Sequence, residues 1–229
     1  MRINKYISET GFCSRRATNR LIEEKRITVN GTICEPGTMI VPGDVVLIDG
    51  ESIPEKSACV YIALNKPVGI TCTAAKTVKG NIIDFMNYPG RIFPIGRLDK
   101  DSEGLILMTN DGEIVNKMMR SEYGHEKEYV VKVDRLITEE FINEMSGGVE
   151  ILGTITKPCR VSKISEHEFR ITLTQGLNRQ IRRMSKECGY RVVRLERVRI
   201  MNIERADLAD GEWRELTQAE LADLLVQLG

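Results

Sequence analysis

The sequence predicts an α+β protein in two parts, a small N-terminal module and a larger domain built on a mixed, largely antiparallel sheet. Three observations predict it. The first fifty or so residues combine two short helical patterns with short strands around an Asn-Gly turn. A polar stretch from Ser52 to Ala58, containing Pro54, then separates them from an apolar run that begins near Val60. Beyond it, strands arrive both beside one another and after helices, without the regular β-α alternation of a doubly wound parallel sheet. The expected boundaries are 1–51 for the module, 52–59 for a linker and 60–229 for the larger domain.

In the module, Ile3 to Ser8 reads as a short helix and Ser14 as the N-cap of a second helix running to Glu24. Ile27-Thr28-Val29 and Thr32-Ile33 flank Asn30-Gly31, the dipeptide best suited to a two-residue hairpin turn, and Val45 to Ile48 supplies another strand after Pro42-Gly43. On the second helix Arg15, Arg16 and Arg20 recur at near-helical spacing and share an outer face, leaving Leu21 and Ile22 for the core. The larger domain offers strands at Tyr61–Leu64, Leu105–Met108, Tyr129–Val133, Phe169–Thr174 and Val192–Ile200. Helices are expected near Asp111–Arg120, Thr138–Met145 and Asn178–Cys188, the last with Asn178 as cap. The chain closes on a capping box, Thr217-x-x-Glu220, followed by Leu221, Leu224, Leu225 and Leu228 as a core stripe.

Composition narrows the class. Hydrophobic residues at 41% and charged residues at 29% are an ordinary balance, and no apolar run approaches the length of a membrane span. The first residues, Met1-Arg2-Ile3-Asn4-Lys5-Tyr6, lead into polar and basic ones rather than a signal h-region, so a cytoplasmic protein is expected. Six cysteines, at 13, 34, 59, 72, 159 and 188, never form a Cys-x-x-Cys pair and read as reduced, buried thiols. The formal net charge of zero conceals two basic zones. Met1–Arg26 carries seven Lys or Arg against three acids, and Lys157–Arg205 carries thirteen against five, a distribution that suggests a nucleic-acid footprint. A solvated basic face is the plain alternative for each.

Several chemistries lack their groups. There is no Gly-x-x-x-x-Gly-Lys-Ser/Thr loop and no strand-linked Gly-x-Gly-x-x-Gly, and the two histidines, His125 and His167, are not spaced for a metal. Acid–base work would therefore fall on carboxylates or tyrosine. Asp99 stands out, because Phe93-Pro94-Ile95-Gly96-Arg97-Leu98-Asp99-Lys100-Asp101-Ser102-Glu103-Gly104 sets it in a glycine-bracketed loop that runs into the buried Leu105–Met108. The alternative is an acidic turn open to water. In Lys127-Glu128-Tyr129-Val130-Val131-Lys132-Val133, strand alternation puts Lys127, Tyr129, Val131 and Val133 on one face, so Tyr129 is either a half-buried core ring or a platform for a base. In Gln175 through Met184, Ile181, Met184 and Cys188 point inward, leaving Arg179 and Arg183 at the surface and Arg182 reaching toward a cleft; Arg194, Arg197 and Arg199 extend the positive field.

Read together, these segments resemble the RsuA/RluB/RluE/RluF family of pseudouridine synthases, which isomerise particular uridines in RNA. Four motifs stand in family order: Lys66-Pro67-Val68-Gly69, Gly96-Arg97-Leu98-Asp99, Lys127-x-Tyr129 and Gly176 through Met184. The N-terminal module resembles the alpha-L RNA-binding domain shared with small-subunit ribosomal protein four. The wording of Phe93–Gly104 and His125–Val130 is most similar to the RluF branch, which acts on large-subunit (23S) ribosomal RNA.

The resemblance implies a cofactor-free, metal-free reaction in which the N1–C1′ bond is cut, the base turns, and a C5–C1′ bond is made. It makes Asp99 essential, whether by attack on the sugar, addition to the base, or removal of the 2′ proton. It places Arg182 as the partner of Asp99, Tyr129 as the ring that stacks on uracil, Arg97 in the space left by a flipped nucleotide, and Leu195 as an apolar wall. Lys66, Gln180, Arg179 and Arg183 join the substrate-binding set, and Arg2, Lys5, Arg15, Arg16 and Arg20 form the RNA-binding surface of the module. Asp101 and Glu103 match no family role. The expected partner is ribosomal RNA, with transfer RNA or small-subunit RNA as alternatives, and the default state is a monomer. The rival reading is a non-catalytic RNA-binding assembly factor, which would need the arginines but not Asp99.

Overall fold

The structure, a computed structural model, describes residues 1–75, 77–119 and 124–229. The chain divides into two compact units: Met1–Val60 with Tyr88–Ile92 and Asn110–Gly112, and Tyr61–Asn87 with Phe93–Thr109 and Glu113–Gly229.

The first unit packs α1 (Ile3–Glu9) and α2 (Arg15–Glu23) against strands β1 (Ile27–Val29), β2 (Thr32–Ile33), β3 (Val46–Ile48) and β4 (Glu51–Ser52), ordered β2-β1-β3-β4. Ser14 begins α2 by accepting the Ala17 amide at 3.1 Å, satisfying one of the donors a helix start leaves open. Asn30 and Gly31 both have positive φ (50° and 78°), and Val29 faces Thr32 directly, so the turn is the two-residue hairpin that the dipeptide favours. Ile3, Ile7, Ile22, Ile27, Val46 and Ile48 form the core. Arg15, Arg16 and Arg20 are exposed.

The second unit is a nine-stranded mixed sheet. Its elements are β5 (Tyr61–Lys66), α3 (Ile82–Met86), β6 (Phe93–Ile95), β7 (Glu103–Thr109), α4 (Gly112–Met119), β8 (Lys127–Val133), α5 (Glu139–Gly147), the β9 (Glu150–Ile151) and β10 (Thr154–Ile155) hairpin, β11 (Arg160–Lys163), β12 (Glu168–Leu173), α6 (Gln180–Glu187), β13 (Val192–Ile200), β14 (Ile203–Glu204), β15 (Trp213–Glu215) and α7 (Gln218–Leu228). The order β11-β12-β8-β13-β7-β5-β15 is antiparallel at every step but one. The exception is the central β13–β7 pair, which is parallel and only two residues long, Glu196 opposite Glu103 and Arg197 opposite Gly104. Gly104 makes that seam possible. Its φ is +101°, and a methyl group there would stand 2.3 Å from the Arg197 carbonyl oxygen, so only glycine permits the approach.

Two apolar clusters flank the sheet. Leu105, Leu107, Ile114, Met118, Leu224 and Leu228 belong to one; Val131, Phe141, Phe169, Ile181, Met184 and Leu195 belong to the other. The capping box forms as the sequence predicts, with Thr217 and Glu220 bonded reciprocally, but Leu225 turns outward and is 45% exposed. The helix expected to Arg120 ends at Met119 among the described residues, and Arg120 lies outside them. The cysteines are all free, but only Cys34 and Cys72 are buried; Cys13, Cys159 and Cys188 are half-buried, and Cys59 is exposed because it lies in the extended segment before β5. No helix among the described residues is long and apolar enough to cross a membrane.

Candidate active site

Within the second unit, the loop before β7, the start of α6, and the strands β8 and β13 enclose a cleft of about 470 Å³. The volume lies in the range of small-ligand pockets. Arg97, Asp99, Tyr129, Arg179, Gln180, Arg182 and Leu195 all line it, so most of the residues singled out from the sequence converge on one place. Asp99 is the one carboxylate among the described lining residues, and its side chain is 34% exposed.

The loop that carries Asp99 is held from several sides. The Leu98 side chain is buried. The Ser102 amide donates to the Asp99 carbonyl at 3.1 Å, and the Gly69 amide donates to the Lys100 carbonyl at 2.7 Å. Gly69 is itself fixed, because the Lys66 ammonium donates to the carbonyls of Pro67 (2.8 Å) and Ile70 (3.1 Å) and closes that turn. Lys66 is therefore a correction to the sequence reading. It is fully buried and is not among the described residues of the cleft lining, so it supports the loop from behind. Burial pushes its pKa down.

The arginines divide in a way the sequence did not show. Arg179 grips Asp101 with two hydrogen bonds of 3.0 and 2.8 Å, a bidentate pairing, and stands 3.8 Å from Asp99. Arg182 donates to the Asp101 carbonyl at 2.7 Å and to the Ser102 hydroxyl at 3.2 Å, and its Nε is 3.7 Å from the Asp101 carboxylate. The expected Arg182–Asp99 pair is thus replaced by contacts one turn of the loop further on, and Arg179 is the cation within ion-pair reach of Asp99. Asp101, left without a role by its sequence, is the clamp that both arginines share. Its hydrogen bonds from Arg179 hold its carboxyl below the usual range.

Asn178 does not cap α6. Arg179 occupies the N-cap in a left-handed conformation (φ 51°), while Asn178 is tied to Arg183 through its carbonyl (3.0 Å) and side-chain oxygen (3.3 Å). That contact draws Arg183 off the cleft wall. Gln180 is 4% exposed and accepts the Leu177 amide at 3.0 Å, closing the turn that Asn178 was expected to close. The expected positive field along β13 is mostly neutralised. Arg194 pairs with Glu103 and Glu196, Arg199 with Glu126 and Glu128, and Arg205 with Glu196. Leu195, 6% exposed, lies where an apolar wall was expected.

Residues 60–187 match the RNA pseudouridylate synthase family, and residues 1–46 match the S4 domain. The first match alone takes in more than half of the chain. The chain belongs to the RNA pseudouridylate synthase family. It is 55% identical over 226 residues to the dual-specificity RNA pseudouridine synthase RluF of Escherichia coli K12, a match spanning 98% of this chain and 78% of that one. It is 36% identical to the ribosomal large subunit pseudouridine synthase B of Bacillus subtilis, over 97% and 95% of the two chains. Among solved structures, a crystal structure of a pseudouridylate synthase superposes with a TM-score of 0.73 at 29% identity, covering 98% of this chain and 99% of that one. The chain is an RNA-modifying isomerase with an RNA-binding S4 domain.

In this synthase the cleft wall also includes Lys127, Ser102 and Asn178, which had no expected substrate role, and Arg197, expected only as part of a positive field. A signal for Lys127 was present, since strand alternation places it on the face of Tyr129. Arg197 was marked only as one of three basic residues on its strand. It lies directly opposite Tyr129 in the β8–β13 register and is 2% exposed, a burial that an arginine-rich strand does not announce.

Proposed function

We propose that the synthase converts a specific uridine of large-subunit (23S) ribosomal RNA to pseudouridine in the cytoplasm, without cofactor or metal, using Asp99 as the essential group. One observation carries the assignment of Asp99: it is the sole carboxylate among the described residues of the cleft wall, held on a clamped loop and open to a ligand. The neighbouring Asp101 is committed to Arg179 and Arg182, so the two acids two positions apart have different work.

The remaining roles follow from position. Tyr129, half-buried between the Val131 core and the cleft, offers a ring face on which the flipped uracil stacks. Leu195 supplies the opposite apolar contact. Arg182 is a fixed cation, its side chain 13% exposed and bonded to the loop, and it orients Asp101 and Ser102 beneath Asp99. Arg97 and Arg179, both exposed at the rim, meet the phosphates on either side of the target nucleotide. Arg183, off the wall, and Gln180, spent on its own turn, serve the shape of the α6 start. Residues 1–51 act as the RNA-binding module through Arg2, Lys5, Arg15, Arg16 and Arg20, joined by the 52–59 linker to the catalytic residues 60–229, with the protein a monomer.

The large-subunit assignment rests on the motif wording and on the Bacillus relative, and the dual specificity of the Escherichia relative makes a second RNA part of the test. Carbodiimide labelling and primer extension on unmodified 23S transcript, with a transfer RNA pool in parallel, reads both. A single new stop in 23S RNA with wild type, absent with Asp99→Asn, is the expected result. Stops only in transfer RNA would overturn the substrate, and stops with Asp99→Asn would overturn the role of Asp99.

A further inference from the structure

Two buried or half-buried cations in the cleft wall have no counter-ion among the described residues. Lys127 on β8 is half-buried and makes no hydrogen bond or ion pair among the described residues, and Arg197 on β13 is 2% exposed and pairs with no carboxylate. Arg197 is fixed by its Nε donating to the Leu105 carbonyl at 2.7 Å and one terminal nitrogen to the Arg97 carbonyl at 3.5 Å; its other terminal nitrogen is buried without a partner. The register sets Arg197 opposite Tyr129, and Lys127 lies two residues from Tyr129 on the same strand face. Every other cation along β13 has its acid, Arg194 with Glu103 and Glu196, and Arg199 with Glu126 and Glu128. Leaving two positive charges together and unpaired where water is scarce is unfavourable unless an anion arrives to join them.

We propose that this anion is the detached uracil, and that Lys127, with Arg197 behind it, holds the base while it turns between the two bonds. The inference rests on the chain being a pseudouridine synthase and not on which RNA it modifies. When the N1–C1′ bond breaks, its electron pair leaves on the base, giving a uracil monoanion whose charge spreads over N1, O2, O4 and C5. C5 then attacks C1′, the C5 proton departs to a base or to water, and N1 takes up a proton, so that the sum is an isomerisation. A cation beside the ring stabilises the anion more than the neutral uridine, which is the condition for lowering a barrier. A phosphate is the wrong partner for this pair, because Arg197 is buried beside Tyr129, whereas Arg97 and Arg179 are the cations exposed at the rim to meet a backbone.

Burial pushes the Lys127 pKa down, and the neighbouring Arg197 adds to it. The charged groups sharing its cleft are Arg197 on β13, Arg97 and Asp99 on the loop, Arg179 and Arg182 at α6, and His125 ahead of β8. If the lysine acts as a cation, activity is lost as pH rises through its lowered pKa; if it acts as a neutral base, activity is gained over the same range.

The test is single-turnover tritium release from a pool of unmodified 23S, 16S and transfer RNA transcripts carrying [5-³H]uridine. It reports turnover at any target, so failure of the large-subunit assignment appears in the mapping experiment and leaves this one intact. Lys127→Met should slow release by about 10²- to 10³-fold, the usual cost of one donor at a developing oxyanion, with RNA affinity unchanged. It should also abolish the alkaline fall of the wild-type profile, and Lys127→Arg should restore part of the rate. Thermal unfolding of Lys127→Met should come at the same or a higher temperature, since an unpaired buried charge has gone. A rate within about threefold of wild type, a rate that climbs with pH through the same limb in wild type, or a loss confined to RNA affinity and its salt slope would overturn the proposal.

Discussion

The basic helix of the first unit and the basic wall of the cleft use the same residue type to different ends. On α2, Arg15, Arg16 and Arg20 are exposed and make no ion pair among the described residues, so their side chains are unpaired charges. In the cleft, Arg179, Arg182 and Arg197 are fixed by Asp101, by the Ser102 and Asp101 oxygens, and by the Leu105 carbonyl. Exposed, unpaired cations attract a polyanion along its length, and fixed ones position a reacting group. The difference teaches that a count of basic residues along a chain says little about what they do; what each is bonded to decides it.

Among the arginines, breaking a fixed one should cost the most. Arg182→Met removes the bonds to Asp101 and Ser102 and is expected to lower the single-turnover rate by about 10²-fold with RNA affinity nearly unchanged, measured by tritium release and filter binding. Next comes the seam that brings the cleft strands together. Gly104→Ala forces a methyl group to 2.3 Å from the Arg197 carbonyl oxygen at a φ of +101°, and chemical denaturation should show a loss of about 3 kcal/mol. The exposed, unpaired cations of α2 should cost less. Changing Arg15, Arg16 and Arg20 together to Ala is expected to lower the salt slope of RNA binding by about 2, with the rate at saturation unchanged. An unaltered slope would remove α2 from the footprint.

The smallest effect concerns acid. Glu220, bonded by Arg214 and by the Thr217 amide and hydroxyl, has its carboxyl held at about 2, against 4.5 for the free group. A folded-state pKa below the unfolded one gives stability that is present above about pH 4.5 and lost as pH falls toward 2. Arg214→Ala should therefore narrow the acid range of the fold slightly, which an acid titration followed by circular dichroism would detect.

Local pattern carried much of this structure. The Asn30-Gly31 hairpin, the Ser14 cap, the Thr217–Glu220 box and the buried β7 strand each follow from chemistry within a few residues. The convergence of Asp99, Tyr129 and Arg182 was legible only through a resemblance, since their approach depends on strand order. What stayed hidden was long-range. That Lys66 is buried, that Asp101 takes the arginine hydrogen bonds while Asp99 has only Arg179 at 3.8 Å, and that Arg194 and Arg199 are neutralised all depend on partners brought together by the sheet. The Asn178 cap failed for a nearby reason: Arg183 competes for its oxygens.

The central claim is that two acids in one loop divide the work, Asp99 meeting the substrate and Asp101 holding the loop. The direct measurement is single-turnover tritium release, with RNA affinity determined in parallel, for Asp99→Asn and Asp101→Asn. Release at background is expected for Asp99→Asn with affinity intact, and for Asp101→Asn a rate reduced by only about tenfold, the loss of positioning alone. Equal rates in the two variants, or turnover surviving in Asp99→Asn, would contradict it.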